Sequence, residues 1–261
     1  MSVLQELFDN RQKKALLMPY ITGGYPSLHG CGHVLDAFIE GGADMIELGV
    51  PFSDPLADGP VVQASAQQAL DEGVTPDDVL ELASRYSSRL PVVLLVYYNC
   101  IFAYGQDRFA AAAAGAGVNG LIVPDLPVDE ASEFIEACRA CGVDAILLVA
   151  PTSTGERIEM IAAQASGFIY CVSVAGVTGA RTSLSDRLPE FLERVRAGTD
   201  VPLAVGFGVS TPEQAAAVAR YADGVIIGSK LISIVRDAGE IDIAARAVKT
   251  FLSQVNEVLI K

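Results

Sequence analysis

The chain has 261 residues, an apolar fraction of 51% and a formal net charge of −14. This length fits two ordinary domains or one α/β barrel, which typically needs about 250 residues. The negative charge argues against nucleic acid or an anionic membrane surface as a partner. We expect a cytoplasmic protein, because the sequence has neither an apolar run of the roughly 18 residues that a membrane span requires nor a recognisable signal peptide.

Short apolar runs alternate with helix-length segments along the chain. We predict strands at eight runs: residues 16–22, 45–49, 92–97, 120–123, 145–150, 167–173, 203–206 and 224–227. Each run reads as continuously buried, which is typical of parallel strands covered by helices. Start signals precede several of the intervening helices, among them Thr75-Pro76, Thr211-Pro212 and Pro127 with the acidic residues that follow it.

Strands that are each followed by a helix predict an α/β fold with a single (βα)8 TIM barrel, in one domain over residues 1–261. We expect an extra N-terminal helix at residues 2–14 and a short helix after the eighth strand. An open doubly wound sheet is the alternative. It would carry a Gly-rich fingerprint after its first strand, and Thr22-Gly23-Gly24-Tyr25-Pro26 does not match one.

In such a barrel the carboxyl ends of the strands build the active site. The second strand carries Glu47 within an apolar run, and the following loop adds Asp54 and Asp58. A buried carboxylate is costly unless it is paired or used, and the strand runs contain no Arg or Lys. We therefore favour a functional role for Glu47. Asp58 could equally cap the helix that follows it.

The lysines bear on the type of chemistry. They are Lys13, Lys14, Lys230, Lys249 and Lys261. None lies in a strand run, so Schiff-base catalysis, which needs an amine at a strand end, is not expected.

Glycine-rich turns follow the last two strands: Gly206-Phe207-Gly208, and Gly228-Ser229 at the start of a helix. Backbone N–H groups on such turns bind phosphate without a cationic side chain, and barrels of this class hold phosphate in this region. An acidic chain could therefore still bind an anion. The small-residue-rich loop at 175–182 could be a mobile lid or an ordinary surface loop.

Two other groupings carry less weight. Cys138 and Cys141 have the spacing of a redox motif but lie at the end of a helical pattern, so we interpret them as packing thiols. His29 and His33 could share one helix face, but no third ligand lies nearby and we predict no metal site.

The stretch Glu47-Leu-Gly-Val-Pro-Phe-Ser-Asp-Pro-Leu-Ala-Asp58-Gly-Pro resembles the signature of the tryptophan synthase α subunit family. Further segments match in order over nearly the whole chain: Pro19-Tyr-Ile-Thr22-Gly-Gly, Val96-Tyr97-Tyr-Asn99, Pro124-Asp125-Leu-Pro127, Tyr170-Cys-Val-Ser173, Gly176-Val-Thr178-Gly179, Val205-Gly206-Phe207-Gly208 and Gly228-Ser229.

The resemblance implies a lyase of tryptophan biosynthesis that cleaves indole-3-glycerol phosphate, by a retro-aldol reaction, into indole and glyceraldehyde 3-phosphate. It implies Glu47 as the general acid–base at indole C3, Asp58 as the partner of the indole N–H, and Tyr170 as the residue that positions the ring and Glu47. The other implied site residues are Thr22, Leu95, Tyr97 and Leu126 in the indole pocket, Gly179, Phe207, Gly208, Gly228 and Ser229 at the phosphate, and Thr178 on the lid, touching Asp58.

The family also implies a β subunit partner in an α2β2 heterotetramer, with indole passing through a tunnel and with Pro51 and Asp54 near the interface. The resemblance implies no metal and no cofactor in this chain, and pyridoxal phosphate only in the β partner. Two departures are visible. Val174 stands where well-known members carry Arg, which removes a charged contact that helps to order the lid, and Thr22-Gly23-Gly24-Tyr25 differs from the Leu-Gly-Asp version of the first loop.

Three rival hypotheses stay open at this point. The first is a stand-alone indole-glycerol phosphate lyase, and the second is another phosphate-binding barrel such as a sugar-phosphate isomerase. The third is a catalytically silent barrel that only activates a β partner.

Overall fold

The computed structural model describes residues 1–172, 187–206 and 208–260. Its strands are β1 (Leu16–Thr22), β2 (Ile46–Gly49), β3 (Val92–Leu95), β4 (Gly120–Ile122), β5 (Asp144–Ile146), β6 (Leu148–Val149), β7 (Ile169–Val172), β8 (Leu203–Gly206) and β9 (Gly224–Ile227). All pair in parallel, in the order β5-β4-β3-β2-β1-β9-β8-β7-β6. Only Leu147 separates β5 from β6, so the two ends of the sheet meet and close a barrel. The predicted TIM-barrel fold is confirmed.

The predicted strands differ from the observed ones mainly at their ends. The predicted run 145–150 divides at Leu147, whose carbonyl accepts a 3.0 Å hydrogen bond from the Tyr170 N–H. The predicted run 92–97 ends at Leu95, because Tyr97 is already the N-cap of the next helix. Every residue of β1, β2, β3, β8 and β9 is buried, as expected for strands enclosed by helices.

The helices form the outer layer. They are α1 (Val3–Asp9), α2 (Leu28–Glu40), α3 (Pro60–Asp71), α4 (Pro76–Tyr86), α5 (Tyr98–Tyr104), α6 (Gln106–Gly115), α7 (Ser132–Ala140), α8 (Gly155–Gln164), α9 (Leu188–Arg196), α10 (Pro212–Val218), α11 (Ser229–Ala238) and α12 (Ile241–Ile260), with a 3-10 helix at Val128–Glu130. Within the described ranges, no helix combines the length and apolarity needed to cross a bilayer.

The predicted helix starts are mostly confirmed. Thr75 caps α4 in a capping box with Asp78, and the Thr211 side chain accepts a hydrogen bond at the start of α10. The third predicted start, at Pro127, is wrong as the start of an α-helix. Pro127 precedes the 3-10 helix, and α7 begins only at Ser132.

The N-terminal helix is shorter than predicted. It spans Val3–Asp9 instead of 2–14, because the residues after it are tied to the bottom of the barrel. Lys13 binds the Asp44 carboxylate at 2.8 Å, and Lys14 N–H donates to the Leu259 carbonyl at 2.9 Å. The buried side chains of α1 pack on the barrel, with the Phe8 ring centroid 5.6 Å from that of Phe168.

Candidate active site

The polar residues of the barrel interior lie near the carboxyl ends of β1, β2 and β7. In the sheet, Tyr20 is the register partner of Glu47, and Thr22 is the partner of Gly49. Tyr170 lies on β7, and Tyr97 lies two residues beyond the end of β3, at the N-cap of α5. Because parallel strands place their carboxyl ends at one face of the barrel, these side chains converge there.

Glu47 is fully buried. Neither of its carboxylate oxygens has a hydrogen-bond partner among the described residues. Burial, with a smaller contribution from the charge of Asp58, raises the pKa of Glu47 from 4.5 to about 8. At neutral pH this carboxyl group is therefore mostly protonated and can donate a proton.

Asp58 lies in the loop before α3 and is also buried. Its Oδ2 accepts a 2.9 Å hydrogen bond from the Tyr97 hydroxyl, which in turn accepts one from the Ala57 N–H at 3.1 Å. Burial raises the pKa of Asp58 to about 6, and the bond from Tyr97 opposes that rise. Asp58 is therefore mostly ionised at neutral pH, and the pair differs in protonation state.

The structure decides against a capping role for Asp58. The N-cap of α3 is Gly59, which forms no side-chain hydrogen bond, and Pro60 occupies the first turn. The carboxylate of Asp58 instead faces Tyr97, whose ring stacks on Phe52 at a centroid distance of 5.2 Å.

Two buried tyrosines fill the barrel beside this carboxyl pair, and each occupies the space that a glycine leaves. A Cβ on Gly49 would lie 2.2 Å from the Tyr20 hydroxyl oxygen, and one on Gly206 would lie 2.2 Å from that of Tyr170. Burial raises the pKa of both tyrosines well above 10.0, and the neighbouring carboxylates add to the effect. Both phenols therefore stay neutral.

Thr22 belongs to a chain of hydroxyl groups. Its Oγ1 lies 2.6 Å from Ser65 Oγ on α3 and 3.5 Å from the Tyr20 hydroxyl, and Ser65 donates to the Val62 carbonyl at 2.8 Å. The hydroxyl of Thr22 thus faces the barrel wall and is engaged with Ser65.

The described part of the predicted phosphate region is open and polar. Gly208 has φ of +92°, a left-handed conformation that favours glycine. Gly228 is the N-cap of α11, and the first residue of that helix, Ser229, is exposed. The ammonium of Lys230 lies over the Phe251 ring, 5.9 Å from its centroid, so the turn presents backbone groups and a hydroxyl.

The remaining predicted site residues divide into three groups. Leu95 is buried near the carboxyl pair, whereas Leu126 is half-buried and lines a 240 Å³ cavity with Leu147 and Arg157. In the second loop Pro51 is buried and Asp54 exposed. The predicted positions Thr178, Gly179 and Phe207, and the departure at Val174, lie outside the described residues.

The histidine and cysteine pairs lie away from this site. His29 and His33 share one face of α2, with their Nε2 atoms 3.2 Å apart, and the described residues contain no cluster of three or more ligands suited to a metal. Cys138 is buried in α7, and burial raises the pKa of its thiol to about 12, contrary to what a redox thiolate needs.

Reasoning from the sequence missed Tyr20, Ser65 and Phe52. A tyrosine within a buried strand, two residues from Thr22 and on the same face, was the available signal, because a buried phenol usually needs a polar partner. Ser65 gave no signal, since serine on a surface helix is ordinary.

The fold and its interior define a class, the TIM barrels with a buried pair of carboxyl groups near the carboxyl ends of their strands. The family model described as tryptophan synthase alpha chain matches residues 7–259. The chain therefore belongs to the tryptophan synthase alpha chain family, and it is an enzyme of tryptophan biosynthesis.

Individual relatives support this assignment. The chain is 45% identical to the tryptophan synthase alpha chain of Dehalococcoides mccartyi, over 98% of this chain and 100% of that one. It is 52% identical to that of Citrifermentans bemidjiense, over 85% and 84%. Among solved structures, tryptophan synthase of Mycobacterium tuberculosis has a TM-score of 0.91 at 37% identity, covering 100% of this chain and 99% of that one. The alpha chain of Legionella pneumophila has a TM-score of 0.89 at 35% identity, covering 99% and 97%.

Proposed function

We propose that this chain is a carbon–carbon lyase that cleaves indole-3-glycerol phosphate to indole and glyceraldehyde 3-phosphate, with Glu47 and Asp58 as its catalytic residues. The observation that carries this proposal is the different surroundings of two buried carboxyl groups: Glu47 has no hydrogen-bond partner among the described residues, whereas Asp58 accepts a bond from Tyr97. These surroundings raise their pKa values to about 8 and about 6. When the surroundings of two carboxyl groups give them different pKa values, the group with the higher pKa can donate a proton and the ionised group can stabilise positive charge.

The first step is proton transfer. The protonated carboxyl of Glu47 donates its proton to indole C3, and the ring nitrogen becomes positively charged. The ionised carboxylate of Asp58 faces the N–H of that ring and stabilises the charge where it develops.

The second step breaks the bond between C3 and the side chain. The carboxylate form of Glu47 takes the proton of the side-chain hydroxyl, the aldehyde forms, and the electron pair of the broken bond returns to the ring. The proton from Glu47 stays on C3 of indole, and the hydroxyl proton restores the acid. The cycle needs no cofactor in this chain, and we expect pyridoxal phosphate only in a β partner.

Tyr170 positions the ring beside Glu47, and Tyr97, Thr22, Leu95 and Leu126 line the indole pocket in this proposal. The exposed turn at Gly228 and Ser229, with Gly208, Gly179 and Phe207, holds the phosphate. In this proposal Thr178, in the loop at 175–182, closes over the site.

We further propose a tryptophan synthase β subunit as the partner, docked at the mouth of the barrel. In the second loop Asp54 is exposed and Leu56 is 88% exposed, and Phe102 on α5 is 71% exposed. Large apolar side chains in such positions favour a protein interface. Pro51, which is buried, would shape this loop from beneath.

The test measures indole released from indole-3-glycerol phosphate by the purified chain, alone and with a tryptophan synthase β subunit. We expect slow release alone and strong stimulation by the β subunit. Equal rates in both conditions would favour a stand-alone lyase, and no release in either would overturn the lyase proposal. A silent activator would show two results together. The wild-type chain would release no indole, and the Glu47→Gln chain would still stimulate the β subunit.

A further inference from the structure

Tyr20 lies beside the carboxyl pair without a part in the reaction as described above. It is the register partner of Glu47 on the neighbouring strand, so both side chains point to the same face of the sheet. Its ring is enclosed by two glycines, since a Cβ on Gly49 would meet its hydroxyl oxygen at 2.2 Å and a Cβ on Gly228 its Cδ1 at 2.9 Å. The phenol therefore has a fixed place between the strand of Glu47 and the phosphate turn.

The direction of the hydroxyl chain at Tyr20 follows from the bond that Ser65 makes at its far end. Ser65 Oγ is 2.8 Å from the Val62 carbonyl, which can only accept, so the hydroxyl hydrogen of Ser65 is used there. The 2.6 Å contact between Thr22 and Ser65 then requires Thr22 as the donor. The remaining contact, 3.5 Å between Tyr20 and Thr22, can only be made by the hydrogen of Tyr20.

In this direction the hydroxyl hydrogen of Tyr20 is used at Thr22, so toward any other group the Tyr20 oxygen can only accept a hydrogen bond. Glu47, the register partner of Tyr20, lacks a hydrogen-bond acceptor for its acid hydrogen. It is fully buried, and neither of its oxygens has a hydrogen-bond partner among the described residues. An uncharged carboxylic acid has one hydrogen to donate.

We propose that Tyr20 is a positioning residue for Glu47. The Tyr20 oxygen accepts the hydrogen of the Glu47 carboxylic acid and so holds that side chain in place. It is free to accept because the Tyr20 hydroxyl hydrogen is directed at Thr22, in the hydroxyl chain that continues to Ser65. Forming this hydrogen bond requires a movement of the Glu47 side chain toward the Tyr20 hydroxyl. The proposal rests on the proposed role of Glu47 as the acid, and it adds the device that keeps this acid protonated and oriented between turnovers.

The titratable groups around Glu47 come from three parts of the described structure. They are Tyr20 on β1, Asp58 in the loop after β2 and Tyr170 on β7. The charge of Asp58 and burial both favour the protonated form of Glu47. A hydrogen bond accepted by Tyr20 acts in the same direction, whereas one donated by Tyr20 would act against it.

The test is a titration of the substrate-free full-length chain. The chain is labelled with ¹³C at the glutamate carboxyl carbons, and the Glu47 resonance is assigned by its loss in Glu47→Gln. Tyr20→Phe removes the acceptor, so the pKa of Glu47 is expected to fall by about 0.5 to 1, the scale of one net hydrogen bond. Ser65→Ala is also expected to lower this pKa, because it frees the Thr22 hydrogen and lets Tyr20 donate to the carboxylate.

Tyr86→Phe is the matched control. It removes a tyrosine hydroxyl that donates to the Gly32 carbonyl at 2.8 Å, away from this chain of groups, and should leave the Glu47 pKa unchanged. An unchanged or raised pKa in Tyr20→Phe would overturn the proposal. A fall in Tyr20→Phe without a fall in Ser65→Ala would overturn the role of the hydroxyl chain.

The titration also separates the two proposals. It uses no substrate, so a chain that fails to cleave indole-3-glycerol phosphate would disprove the proposed function and leave the Tyr20 result standing. A fall in both variants would support Tyr20 as a positioning residue in either case.

Discussion

The hydroxyl of Tyr97 donates a 2.9 Å hydrogen bond to Oδ2 of Asp58 and connects the segments that follow two neighbouring strands, β2 and β3. The same hydroxyl accepts from the Ala57 N–H, so its own hydrogen is directed at the carboxylate. Asp58 thereby keeps enough acidity to be ionised at neutral pH, although burial raises its pKa to about 6. A residue assigned to the indole pocket thus also controls the charge of Asp58.

Tyr97→Phe should shift the pH dependence of activity. Loss of the hydrogen bond destabilises the carboxylate form, so the pKa of Asp58 rises and the acid limb of kcat/KM for indole release moves to higher pH, by about one pH unit. Tyr98→Phe is the matched control, because that hydroxyl contacts Gln106 at 3.3 Å. A Tyr97→Phe profile that overlays the wild-type profile would separate Asp58 from this bond.

Glu47→Gln and Asp58→Asn should each lower turnover by roughly 100-fold or more, the usual scale for lost acid–base catalysis. Gln cannot transfer a proton and Asn carries no negative charge, while both keep the shape of the side chain. Single-turnover rates of indole formation would measure this loss at the chemical step. Near-wild-type turnover in either variant would remove that residue from the mechanism.

Glu47 should also make folding stability depend on pH. Its carboxyl pKa is about 8 when folded against an ordinary 4.5, so between these values the folded chain holds a proton that the unfolded chain has lost. Stability therefore falls as pH rises through this window, on the order of 5 kcal/mol in total. Urea unfolding at pH 5 and pH 8 should show a smaller fall in Glu47→Gln, and equal falls would contradict the raised pKa.

The sequence predicted the barrel well because each buried parallel strand is a continuous apolar run, and the bounds of β1, β8 and β9 agree with it residue for residue. It could not predict the division at Leu147, because strand closure depends on pairing with Tyr170 across the barrel. The same limit applies to the site. Glu47 was visible as a charge in an apolar run, whereas Asp58 was ambiguous until Tyr97 was placed beside it.

Ser229→Ala should raise KM more than it lowers kcat. The exposed hydroxyl lies at the start of α11, in the proposed phosphate turn, which is remote from the bond that breaks. Ser233→Ala, one turn further along the same helix, removes a hydroxyl that donates to the Ser229 carbonyl and serves as the control. Steady-state kinetics on indole-3-glycerol phosphate measure both constants, and a fall confined to kcat would count against a phosphate role.

Gly206→Ala should disturb the site through Tyr170. The added Cβ would lie 2.2 Å from the tyrosine oxygen and 2.5 Å from Cε1 and Cζ, so the buried ring or the strand must shift to accommodate it. Such overpacking costs about 1–3 kcal/mol, or roughly 5 °C in Tm for a chain of this size. We also expect turnover to fall by about tenfold or more, because the displaced phenol no longer positions the ring beside Glu47.

Gly115→Ala is the control, since no atom lies within 4 Å of its added Cβ and the change suits the end of a helix. Thermal unfolding and indole release together measure the outcome, and a Gly206→Ala chain as stable and active as Gly115→Ala would show that the missing Cβ is not needed by Tyr170.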